Sequence, residues 1–215
     1  MSRVSTSDVL TSRLSDSYAL DELWGETMGL PEGDTKEKPL RLVTELLERE
    51  RIPYALIGGV AVQLHTQEPR TTRDIDLAVR SYSEIPRDAL ISAGFEHTGR
   101  YLHSDNWVAP GPGGQKQRTV VQFSAEEAAF VDAVDRAAMV EVGGLRLRLV
   151  APSDLVVLKL AAAEEPHRRA SKRQHDVADV IALLEEWPQL RNAVPQLEER
   201  LQRIRARALT LGVDR

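Results

Sequence analysis

The chain has 215 residues, 42% of them hydrophobic and 28% charged, enough for one sizeable core with or without a helical appendage. Its 28 basic and 33 acidic side chains leave a net charge of −5, so no global field draws it to nucleic acid, and such binding would need a local basic patch. The absence of cysteine excludes disulfides, thiolate catalysis and thiolate metal ligation. With neither an apolar run of membrane-spanning length nor an apolar signal core at the start, a cytoplasmic protein with no membrane partner is expected.

Residues 1–36 are rich in Ser, Thr and acids, with a weak helical pattern from Val9 to Trp24 and a turn or linker at Pro31-Glu32-Gly33-Asp34. They read as a peripheral helix packed on the domain or as a partly mobile arm. Residues 37–50 form an amphipathic helix in which Leu40, Leu42, Val43, Leu46 and Leu47 recur at helical spacing. Arg51-Ile52-Pro53 ends it, and Tyr54-Ala55-Leu56-Ile57 is the first core strand. Gly58-Gly59 then opens a short helix, Val60–His65, where backbone can approach ligand and helix N-terminal amides favour phosphate. The spacing is neither the dinucleotide fingerprint nor a P-loop. The five histidines show no metal-ligand spacing, and His65 reads as a cap or a site-edge residue.

The next strand carries Asp74 and Asp76 ahead of Leu77-Ala78-Val79. Side chains two apart on a strand share a face, with their α-carbons about 6.6 Å apart. Like charges brought together on an apolar strand oppose folding through repulsion and desolvation. A divalent cation removes the conflict, and hard oxygen ligands suit magnesium. The plain alternative is a strand end at which both carboxylates meet water.

Further along, Glu84–Ala93 reads as a helix stopped at Gly94, followed by two short strands between Phe95 and Trp107. Pro110-Gly111-Pro112-Gly113-Gly114 has the composition of a hairpin tip, and Arg118–Phe123 is another strand. Ala125–Ala138 is helical, with Asp132 and Asp135 as solvated charges. A hairpin, Met139–Val142 and Leu145–Val150, turns at Gly143-Gly144. Ser153 is the expected N-cap of an apolar helix, 153–165, whose one embedded cation, Lys159, either snorkels outward or reaches a buried anion. The helix over 172–184 places Asp176 and Asp179 on one face. From Pro188 to about Leu209 a charged helix carries Arg191, Arg200, Arg203, Arg205 and Arg207, a solvated face or a basic edge for RNA or a partner.

Gly-Gly, with Asp74 some fourteen residues further on in Arg70-x-Thr72-x-Asp74-x-Asp76, resembles the signature of the nucleotidyltransferase (polymerase beta-like) superfamily. Within it the chain is most similar to AbiEii-type toxins and related bacterial nucleotidyltransferase-like proteins, through L-x-x-x-K-L-x-A at Lys159, a basic residue at Lys172 or Arg173, and D-x-x-D at Asp176. The resemblance covers roughly residues 52–184. It implies an α/β (α+β) fold: a small mixed-sheet nucleotidyltransferase core at 37–150 flanked by helices, a helical C-terminal region at 151–215 packed on it, and 1–36 as the arm or peripheral helix.

It also implies transfer of a nucleoside monophosphate from an NTP to an RNA or protein hydroxyl, with Mg2+ or Mn2+ as cofactor, and a toxin's role opposite an antitoxin partner. Asp74 and Asp76 would hold the metal, and Gly58 and Gly59 the terminal phosphates. Arg70 and Thr72 would shape the entry to the strand, Lys159 would neutralise a phosphate, and Asp176 would act as a base or orient the acceptor. The chain departs from the superfamily where a third carboxylate usually joins the pair, since alternation puts Gln122 there. Glu126 or Glu127 could substitute for it; otherwise the site binds one metal weakly or is inactive. The competing class is therefore a catalytically impaired module of this fold that binds NTP or a partner. A third possibility, a small-molecule adenylyltransferase of the aminoglycoside type, ranks below macromolecular acceptors because the helical C-terminal half resembles the AbiEii-type proteins.

Overall fold

Seven short strands pair into one mixed sheet in the computed structural model, which describes residues 5–27, 29, 35–67, 72, 74–101, 103–111 and 118–210. The strands are β1 (Tyr54–Ile57), β2 (Ile75–Val79), β3 (Glu96–Tyr101), β4 (Ser104–Val108), β5 (Val120–Ser124), β6 (Ala138–Val142) and β7 (Leu145–Leu149). Their order is β3-β4-β5-β2-β1-β7-β6. The β1–β7 and β2–β5 pairs are parallel, and the β1–β2, β3–β4, β4–β5 and β6–β7 pairs antiparallel. β1 lies between β2 and β7, and its four residues are all buried, as its unbroken apolar sequence requires. β5 alternates instead, burying Val121 and Phe123 and leaving Val120, Gln122 and Ser124 half-exposed. β4 does likewise, burying Asp105 and Trp107 on the face away from Asn106. Asp105 keeps its charge in the interior by accepting from Trp107 Nε1 at 2.7 Å and by pairing with Arg87 and His97. The antiparallel β4–β5 pairing makes the glycine-rich connection a hairpin, although residues 112–117 of its tip lie outside the described residues.

The chain divides into two compact units, Met1–Val150 and Ala151–Arg215. In the first, α1 (Thr6–Thr27) packs on α3 (Gly58–His65) and β6, α2 (Glu37–Arg49) on β7, and α5 (Ala128–Arg136) on β2 and β1. Ser17 Oγ donates to Gln63 Oε1 at 2.7 Å, and Arg13 Nη1 to the Leu64 carbonyl at 3.0 Å, so α1 is bonded along α3. Asp21 also reaches α2: its carboxylate accepts from the Lys36 backbone N–H at 3.0 Å and pairs with Lys36 Nζ at 2.7 Å, with both side chains fully buried. The helix expected over Glu84–Ala93 is split into a 3-10 turn, Tyr82–Glu84, and α4 (Arg87–Ser92). Pro86 pushes Ile85 into extended backbone, which no continuous helix can accommodate.

The second unit is helical. α6 (Pro152–Glu164) begins one residue before the expected cap: Ala151 is the N-cap, and no side chain bonds there, because Pro152 fills the first helical position with its φ preset. α6 packs on α7 (Ala170–Glu186), α8 (Leu190–Ala193) and α9 (Leu197–Thr210). The single tail helix expected from Pro188 is two helices, because Pro195 leaves Val194 extended and Gln196 at φ 53°. Arg200 and Arg203 of α9 pair with Glu164, at 2.6 and 3.4 Å, and Arg207 Nη1 donates to the Glu164 carbonyl at 2.7 Å. These three guanidiniums thus bind the C-terminal end of α6. Arg200 holds the Glu164 carboxyl below the ordinary carboxylate value. No helix of the described residues is long and apolar enough to cross a membrane.

Candidate nucleotide site

Gly58 and Gly59 are the first two residues of α3, and β1 leads straight into them. Gly58 sits at φ 66°, a region that L side chains rarely adopt. A β-carbon built on it would lie 1.9 Å from Oδ2 of Asp76, so the backbone turn and the carboxylate occupy adjoining space that only glycine allows. A β-carbon on Gly59 would meet the Thr72 side chain at 3.0 Å. The double glycine is therefore what lets α3 start against the mouth of β2.

Asp76 is half-buried, opposite Ile57 on β1 and Gln122 on β5. Asp74 is exposed and lies one residue ahead of β2. Arg70 lies outside the described residues. Gln122 occupies the position beside Asp76 that alternation assigns it. Glu126 and Glu127 follow the end of β5, where Glu126 pairs with Arg100 at 3.1 Å and Glu127 lies 3.6 Å from His103. Among the described residues no three His, Cys, Asp or Glu side chains gather as a metal site. Two carboxylates and an amide carbonyl do suit magnesium, which commonly takes one or two protein carboxylates and completes its shell with water and substrate phosphates.

His65, at the other end of α3, is buried, and its Nε2–H donates to the Val150 carbonyl at 2.7 Å. Burial pushes the imidazole below its ordinary pKa, with Arg13 adding to the shift and the Val150 bond opposing it. It caps the packing of α3 and is not aimed at the glycine turn.

In the second unit, Lys159 reaches anions: its Nζ lies 2.8 Å from Asp179 Oδ2 and 3.3 Å from Asp176 Oδ1. Arg168 takes the other oxygen of Asp176, from Nε at 2.9 Å and Nη2 at 2.7 Å. Arg173 is buried and donates to the Ala163 and Glu165 carbonyls at 2.8 Å each, closing the end of α6, while Lys172 is exposed. The cluster joins α6 to α7. Arg168 carried no signal of its own beyond belonging to a basic stretch, because its partner is set by the loop between the helices.

A mixed sheet with a glycine turn pressed on a strand aspartate is a fold also found in nucleotidyltransferase-like proteins. Two solved structures share it. One is an antigenic nucleotidyltransferase-like protein from Paracoccidioides brasiliensis, with TM-score 0.50 and 21% identity over 81% of this chain and 89% of that one. The other is the antibiotic-resistance factor ANT(2'')-Ia, with TM-score 0.50 and 12% identity over 80% of this chain and 92% of that one. No protein-family model and no curated protein matches the chain.

Proposed function

We propose that the chain is a magnesium- or manganese-dependent nucleotidyltransferase, moving a nucleoside monophosphate from an NTP to a hydroxyl of RNA or protein and releasing pyrophosphate. The observation that carries this reading is the contact between the Gly58 backbone and Asp76: an amide-rich turn suited to phosphate adjoins a carboxylate suited to a cation. Asp76 and Asp74 would hold the metal, with the Gln122 carbonyl oxygen beside them. When bound, it would offset the charge of the phosphates. Gly58 and Gly59 present N–H groups to the terminal phosphates, and Thr72, against Gly59, fixes the chain as it enters β2. The acceptor oxygen bonds to the α-phosphorus as the bond to the leaving pyrophosphate breaks, and the hydroxyl proton departs to solvent or a nearby base.

The resemblance gives Lys159 a phosphate and Asp176 the acceptor. Their mutual pairing supports an architectural role instead, and Lys159→Met separates the two. An architectural lysine lowers Tm and leaves NTP affinity intact; a phosphate ligand weakens NTP binding with little change in Tm. The AbiEii-like pattern over 153–184 supports a macromolecular acceptor and, with it, a toxin paired with an antitoxin.

Gln122 supports a second reading, an NTP-binding module that no longer transfers, since one charge of the usual three is missing beside Asp76. The test is incubation with each labelled NTP, magnesium or manganese, and cell extract. Label passed to RNA or protein and lost in Asp76→Asn supports the transferase. Binding without transfer supports the module. Neither binding nor transfer contradicts both.

A further inference from the structure

The row that contains Asp76 continues across the sheet. Asp76 on β2 lies opposite Gln122 on β5, Gln122 opposite Asn106 on β4, and Asn106 opposite Gly99 on β3. Paired residues of neighbouring strands project from one face, so a carboxylate, two amides and a bare glycine follow one another at steps of about 4.8 Å. Ser124 and Val120 flank Gln122 on that face. Asp76, Gln122 and Asn106 are all half-buried, yet Asn106 Oδ1 is shut from solvent with no hydrogen-bond partner. A buried carbonyl oxygen left so is costly and calls for an explanation. No hydrogen bond to that oxygen would be broken if the amide turned it toward an incoming donor.

We infer that Gln122 and Asn106 form an acceptor subsite beside the proposed metal position, taking an uncharged, hydroxyl-bearing ring whose O–H group donates to Asn106. This rests on the transferase reading and adds the substrate class to it. Beyond Asp76 the row offers amides and no further carboxylate. It therefore suits a neutral sugar or a ribose terminus better than a polycationic aminoglycoside, which such a row would leave unpaired. Gly99 ends the row without a side chain, and the Tyr101 ring lies 3.9 Å from where its β-carbon would stand.

The test is binding of a short single-stranded RNA ending in a 2′,3′-diol, the same RNA with a 2′,3′-dideoxy end, a free ribonucleoside and an aminoglycoside, to the wild type and to Asn106→Leu. We expect Asn106→Leu to weaken the diol-ended RNA on the order of tenfold while leaving the dideoxy RNA, Mg-NTP affinity and Tm nearly unchanged. An equal loss for the free ribonucleoside assigns the subsite to the ribose itself. A loss confined to the RNA assigns it to a polynucleotide end. The inference is overturned if the wild type binds neither diol ligand, if Asn106→Leu binds both as well as the wild type does, or if the aminoglycoside binds best. These readouts do not require turnover. Failure of the transferase reading shows separately, as NTP binding to the wild type with no label passed to RNA or protein.

Discussion

Gly58 leaves open the space that the Asp76 carboxylate fills. Gly58→Ala would place a methyl group 1.9 Å from Asp76 Oδ2 at φ 66°. The left-handed backbone alone costs about 1–2 kcal/mol for a residue with a β-carbon, and the carboxylate must also swing away. We predict a fall in denaturant midpoint together with a loss of transfer of about 100-fold or more, since an ångström of misplacement can cost that much. Unchanged transfer would mean that the Asp76 carboxylate is not held for chemistry. Gln122 permits the opposite experiment. It already stands opposite Asp76 on β5, so Gln122→Glu adds a third charge without moving the backbone. Metal affinity, measured by manganese titration, should rise severalfold, and Tm without metal should fall as the carboxylates repel.

Asp21 and Lys36 fix how α1 meets the start of α2. Both are fully buried, and the carboxylate also takes the Lys36 N–H, so removing one partner strands the other in the interior. Lys36→Met should cost about 3–5 kcal/mol in chemical denaturation, and adding Asp21→Leu should recover most of it. If the single variant is neutral, α1 is not part of the cooperative unit. Neither residue was legible as a partner, because the pair spans a polar stretch with no periodicity. What was legible were elements whose pattern is local: the seven strands from short runs between turn residues and the glycine turn from composition. Pro86 and Pro195 each cut a helix that apolar spacing alone had extended. Asn106 stayed invisible for a different reason. A lone polar residue on a short strand gains meaning only from its register with Gln122, and sheet pairing is a long-range property.

Across the first unit, α3 connects the glycine turn to a buried imidazole. His65 has a pKa below its ordinary 6.5 in the folded chain, so the unfolded chain takes up its proton first. Stability from this group is therefore complete above about pH 6.5 and declines as the pH falls below it, until the folded pKa is passed. His65→Gln should flatten the pH dependence of the denaturant midpoint in that acid window; an unaltered slope would assign it to other groups. The row from β2 to β3 and the turn at α3 belong to the same unit, which is why one titration can address the account as a whole. Calorimetric titration of wild type and Asp76→Asn with a non-hydrolysable NTP in magnesium should show saturable binding for the wild type and at least a tenfold weaker affinity for the variant. Equal affinity in the two proteins, or no binding to the wild type, would contradict the assignment of Asp76 and the Gly58–Gly59 turn to a nucleotide.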